Sequence, residues 1–93
     1  MVKQANNSTT VTVDIDTALD LRMGTAPSDT LYTVTSVEAP GANTLEWSMD
    51  GTTFYPFDTF TGVIRPTLNE IYNVRFVKVT GAASTANITI AKI

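Results

Sequence analysis

The side chains with which this chain could do chemistry are carboxylates, hydroxyls and aromatics. Neither Cys nor His occurs in its 93 residues. That removes disulfides, thiol nucleophiles, His-based metal sites and His-dependent acid–base catalysis. Asp14, Asp16 and Asp20 form the densest acidic group. As a calcium site it lacks the Asp-x-Asp-x-Asp-Gly spacing and the distal Glu of an EF-hand. A solvated strand face is the expectation there. Paired acids hydrolyse glycosides only where a cleft holds them about 5–10 Å apart around a sugar, and a domain this small seldom has one. No Ser or Thr has a visible base, and no Gly-rich phosphate loop occurs. The sequence predicts no catalytic residue, no metal site and no cofactor; the protein is not expected to be an enzyme.

Binding residues are easier to find. Phe54, Tyr55 and Phe57 surround Pro56, with Phe60 close behind. In an extended chain Phe54 faces one way and Tyr55 and Phe57 the other. Either Tyr55 and Phe57 are exposed or covered by another surface, or the strand breaks at Pro56 and all are buried. Tyr55, Phe57 and Phe60 are therefore interface candidates. The single tryptophan, Trp47, is expected in the core. Residues 1–9 are too polar to join a core unaided and read as a flexible arm. Val2, Lys3 and Gln4 on that arm are interface candidates that would order on a partner.

The elements that position these residues read as strands. Val11, Val13 and Ile15 alternate with Thr10, Thr12, Asp14 and Asp16, the pattern of a half-buried strand. Leu19, Leu21 and Met23 continue the alternation until Gly24 and Pro27 stop it. Residues 31–38 are rich in β-branched and aromatic types, and Pro40, Gly41 and Asn43 mark a turn. Residues 44–49 and 53–57 flank Asp50-Gly51, a strong hairpin signal. With a two-residue loop, Met49 faces Thr52, Trp47 faces Phe54 and Leu45 faces Pro56. Trp47, Met49, Phe54 and Leu45 then share an apolar patch, with Glu46 opposite Tyr55 on the reverse; a longer loop shifts this register. Residues 60–65 make a short strand, 71–80 the longest and 86–93 the last. Seven or eight short strands predict an all-β fold, a single-domain antiparallel β-sandwich of jelly-roll or Ig-like type over residues 10–93. Thr, at 17 positions, suits its outer face: the methyl fits the pleat and the hydroxyl keeps it soluble without charge.

The formal charge is −3. Six scattered Lys and Arg make no basic stripe, so nucleic acid is not an expected partner. Residues 1–50 hold seven acids and two bases, residues 51–93 two acids and four bases. Such a polarity is chance in a small chain, or suits head-to-tail contact with another copy. No apolar run approaches the roughly 20 residues that cross a bilayer, and the first ten residues lack the apolar stretch of a secretory signal. A soluble protein made in a cytoplasm is the expectation, with no membrane partner.

Ser48-Met49-Asp50-Gly51-Thr52-Thr53-Phe54 resembles the Ser-x-Asp-Gly-x-x-aromatic turns of galactose-binding-like and sialidase-type β proteins. It is one residue shorter than the sialidase Asp-box. The resemblance implies a structural hairpin lock built on Trp47, Asp50, Gly51 and Phe54, with no catalytic role for Asp50. The closing segments Val74–Val79 and Ile88–Ile90 resemble the last strands of discoidin-like carbohydrate-binding modules. In its compact, Thr-, Ala- and Asn-rich style the chain also resembles the small β-sandwich accessory proteins of tailed-bacteriophage virions. That resemblance implies a capsid decoration or other accessory subunit of the virion, assembled in a host cytoplasm. Its partners would be capsid or tail subunits, with other copies of itself as a homo-oligomer. The alternative is a carbohydrate- or receptor-binding module, with Tyr55, Tyr72 or Trp47 stacking on sugar. An exposed aromatic beside paired polar groups at a depression would distinguish it.

Overall fold

The computed structural model describes residues 8–22, 32–66 and 74–92. The proposed arm residues Val2, Lys3 and Gln4, the stop at Gly24 and Pro27, and Tyr72 lie outside them. The described chain is all-β and antiparallel, with no helix. Its strands are β1 (Ser8–Asp14), β2 (Leu19–Asp20), β3 (Tyr32–Ser48), β4 (Tyr55–Ile64), β5 (Phe76–Gly81) and β6 (Thr85–Lys92). They form one sheet in the order β1-β6-β3-β5-β2, with β4 on the other side of β3, curled into a half-barrel.

Alternation acts as the sequence predicts at the ends of the chain. Val11 and Val13 are half-buried, while Thr10, Thr12 and Asp14 face solvent. Across the β1–β6 pair, Thr10 and Thr89 share a hydroxyl hydrogen bond of 2.9 Å, and Thr12 Oγ1 donates to Asn87 Oδ1 at 2.7 Å. The outer face is thus laced by uncharged cross-strand pairs. On the other face of β6, Ala86, Ile88 and Ile90 join Leu21, Val34, Val37, Leu45, Val77 and Val79 in the core.

Among the described residues six strands stand where the whole chain was expected to form seven or eight, and two apparent breaks are bulges. Pro40 and Gly41 sit inside the 17-residue β3, and residues 53–57 and 60–65 fuse into the ten-residue β4. The register of β3 on β4 shifts between Ala39 and Ala42 and again between Leu45 and Glu46. An extra residue in one strand bends it without ending the pairing. β5 is correspondingly shorter than the expected 71–80: it begins at Phe76, and residues 71–73 lie outside the described chain.

Because β3 pairs with β6 through Tyr32–Glu38 and with β5 through Asn43–Ser48, β6 and β5 lie end to end along one side of it. β1 and β2 lie end to end beside them. The β1/β2 and β6/β5 ribbons break at the level of the β3 bulge, and backbone bonds stitch the break. Ile15 N donates to Ser84 O at 3.0 Å, Asp16 N to Val79 O at 2.9 Å and Ala82 N to Ala42 O at 3.1 Å. Along this crease the sheet curls.

Asn43 holds the crease. It is 3% exposed. Its Nδ2 lies 3.3, 3.1 and 3.0 Å from the carbonyls of Ala39, Pro40 and Gly41, while its Oδ1 accepts from Ala83 N at 3.2 Å. One side chain therefore satisfies the carbonyls that the bulge takes out of the ladder, and ties them to the β5–β6 corner.

The acidic group does not converge. Asp14 ends β1, Asp16 turns the chain with a φ of 69°, and Asp20 is held by Arg75. Among the described residues no three acids are placed to hold a metal ion. Arg75 Nε and Nη2 donate to Asp20 Oδ1 and Oδ2 at 2.8 and 2.9 Å, and Arg22 N adds a 2.9 Å bond. The Arg75 guanidinium, with help from the Arg22 amide, holds the Asp20 carboxyl below its ordinary range despite partial burial. A depressed carboxylate contributes stability above its unfolded pKa, and that contribution disappears as pH falls through the folded value. The melting temperature is therefore expected to decline below about pH 4. Asp20→Asn should flatten that decline, which thermal melts between pH 2 and 6 would check.

Candidate functional site

The site grows from the β3–β4 connection. Buried Ser48 donates its hydroxyl to Asp50 Oδ1 at 3.0 Å and accepts from Asp50 N and Gly51 N at 3.2 and 2.9 Å. Asp50 Oδ1 also accepts from Thr52 N and Thr53 N at 2.9 and 3.0 Å. The resulting loop spans residues 48–54, because Trp47 pairs with Tyr55. The amides of Thr53 and Thr52, with the Ser48 hydroxyl, hold the Asp50 carboxyl below its ordinary pKa, so it is an anion at neutral pH. Gly51, at φ +81°, leans on the Phe76 ring, where a Cβ would sit 3.2 Å from ring carbons. The Arg75 guanidinium lies 5.0 Å from the centre of that same ring. The Asp20–Arg75 clamp thus supports the floor of the loop.

This loop corrects the predicted register. A two-residue turn would send the Thr52 amide back to Met49, but the Asp50 carboxylate takes that amide and the next one. Trp47 therefore faces Tyr55 rather than Phe54, Glu46 faces Pro56, and Leu45 faces Asp58 across a bulge at Phe57. A slip of one residue exchanges the faces of neighbouring side chains. Tyr55 joins Trp47, with ring centroids 5.0 Å apart and planes tilted by 36°. Phe54 goes to the reverse face, where Lys78 Nζ lies 4.3 Å from its ring centre. The predicted Trp47–Met49–Phe54–Leu45 patch is not formed. Leu45 is buried in the core, and Met49 is 59% exposed.

The interface candidates separate accordingly. Tyr55 is 49% exposed. Phe57 is half-buried and packs on the core, where the bulge turns it inward. Phe60 is 8% exposed and stands opposite Asn43 inside the core, so it is not available to a partner. Trp47 is half-buried: its body packs on the core and its ring meets Tyr55. Trp47, Met49, Asp50, Thr53 and Tyr55 line a depression of about 350 Å³. Compared with known protein families, curated proteins and solved structures, the chain matches none of them.

Sequence reasoning put Met49 in an apolar patch with Leu45 and Phe54 rather than at an exposed tip, and did not single out Thr53 or Val63. The three exposed large hydrophobics among the described residues are Met49, Tyr55 and Val63, the last at 38%. All belong to the β3–β4 hairpin. β4 pairs with β3 and, among the described residues, with no other strand. The Ser48-x-Asp50 spacing could have revealed the wide loop. Val63 carried no signal, since a Val in a strand reads equally as core. Among the described residues no helix is long and apolar enough to cross a membrane.

Proposed function

We propose that this protein is a non-enzymatic structural subunit, a capsid decoration or other accessory protein of a tailed-phage virion, that binds its neighbours through the β3–β4 hairpin. One observation carries the reading: every exposed large hydrophobic among the described residues lies on this hairpin, and no described strand pairs with its outer edge. Apolar side chains beside strand-edge N–H and C=O groups suit a contact that adds a strand and buries anchors at once. The arm carrying Val2, Lys3 and Gln4 belongs to the same reading as a segment that docks on the neighbouring subunit, which is a shell protein or another copy.

Met49→Ser combined with Tyr55→Ser tests it. Both side chains are exposed, so the cost to folding is about 1 kcal/mol, chiefly the lost Trp47–Tyr55 pair. Co-sedimentation with assembled particles is expected to fall at least about tenfold, the effect of removing two interface anchors. Full retention of the double variant on particles would sink the reading.

A second reading, a carbohydrate- or receptor-binding module, has one observation in its favour. The depression beside Tyr55 places a partly exposed aromatic next to Asp50 and Thr53. Saturable binding of a glycan by the wild type, abolished by Tyr55→Ala, would establish it.

A further inference from the structure

Around this hairpin the fold repeats one small device. Arg75 lies between the Asp20 carboxylate, at 2.8 Å, and the Phe76 ring, 5.0 Å from its centre. Lys78 lies between the Glu46 carboxylate, at 4.0 Å, and the Phe54 ring, 4.3 Å from its centre. In each case a cation takes the face of an aromatic ring and the charge of an acid together. A third set stands at the tip: Trp47 and Tyr55, whose rings are tilted against each other, and the acidic residue Asp50 line one depression. Oδ1 of Asp50 is fully engaged by loop donors, while Oδ2 receives no hydrogen bond among the described residues. Among the described residues no Lys or Arg fills the depression.

We infer that the missing cation comes from the partner: the Trp47–Tyr55–Asp50 depression takes an arginine side chain presented by the protein that docks on the hairpin. A guanidinium is planar and weakly hydrated, so it can lie on a ring while donating to a carboxylate oxygen. The depression, at about 350 Å³, is large enough to admit a guanidinium. The inference rests on the reading of the hairpin as the contact surface, and adds the chemistry of the residue it accepts.

The probe is N-acetyl-arginine-methylamide, titrated into isotope-labelled full-length protein and followed by NMR. Saturable shifts are expected at the Trp47 indole N–H and at the amides of residues 50–53, with Kd on the order of 10 mM. Asp50→Asn and Tyr55→Ala should each weaken binding by about threefold to tenfold. Preserved dispersion of the β1 and β6 amides shows that these variants remain folded. Urea, the neutral planar analogue, should produce no saturable shift, nor should methyl galactoside. Equal responses to urea, a response to the sugar alone, or no response at 100 mM probe would each overturn the inference. If the probe fails but the Met49/Tyr55 double variant still leaves particles, the hairpin is the contact surface and only its arginine chemistry is wrong. If the probe binds and the double variant stays on particles, the pocket is real and the structural reading fails.

Discussion

Gly81→Ala is expected to destabilise the fold by about 3–5 kcal/mol, the upper range for a single substitution. Gly81 closes β5 at φ +140°, where side chains with a Cβ are strained. A Cβ there would lie 2.6 Å from Ala42 O, 2.6 Å from Asn43 Oδ1 and 2.7 Å from Asn43 Cα. Two of these atoms are backbone and cannot step aside, and the third belongs to the side chain that holds the crease. Relief requires β5 to move away from β3, which breaks the Asn43–Gly81 end of their ladder. For a domain of this size the melting temperature should fall by roughly 15 °C or more. A loss below about 1 kcal/mol would show that the two strands do not approach this closely.

Asn43→Leu is the second large effect, at about 2–4 kcal/mol. Leu has the same branched shape but is bulkier, so some overpacking adds to the cost. What is lost is the amide serving the carbonyls of Ala39, Pro40 and Gly41, and the acceptor for Ala83 N. Each buried polar group left without a partner keeps its full desolvation cost. Asn43→Asp should be at least as damaging, because it turns a carboxylate toward three carbonyls. Denaturant unfolding would show a lower midpoint with an unchanged slope. Both substitutions disrupt the same β3–β5 corner, so their costs are not expected to be additive.

Asn43 and Gly81 also show where the sequence stopped speaking. The alternation of Val11 and Val13 with Thr10 and Thr12 made strand and outer face legible, because period two needs no partner to be recognised. Pro40-Gly41 was legible as an interruption but not as a bulge. A turn and a bulge use the same residues, and only the neighbouring strands decide whether pairing resumes. Asn43 reads as a turn residue in either case; the Ala83 amide it accepts comes from 40 positions away. At the candidate site the aromatic residues were visible, and so was the hairpin at Asp50-Gly51. Their register was not, because it turns on Thr52 N choosing Asp50 over Met49. That single bond decides whether Phe54 or Tyr55 stands beside Trp47.

The place of β6 has a consequence in time. It lies between β1 and β3, yet it is the last described strand to be synthesised. During translation Asp14 waits for Thr85, and Ser8 waits for Ala91. Until then β1 has no strand partner among the described residues, and the Tyr32–Glu38 part of β3 lacks the neighbour that will flank it. The nascent chain therefore carries two unsatisfied strand edges with the same eventual mate. Such non-local closure makes folding slow and leaves a window for strand exchange between chains. Strand exchange between neighbouring nascent chains is the hazard that this order of synthesis creates.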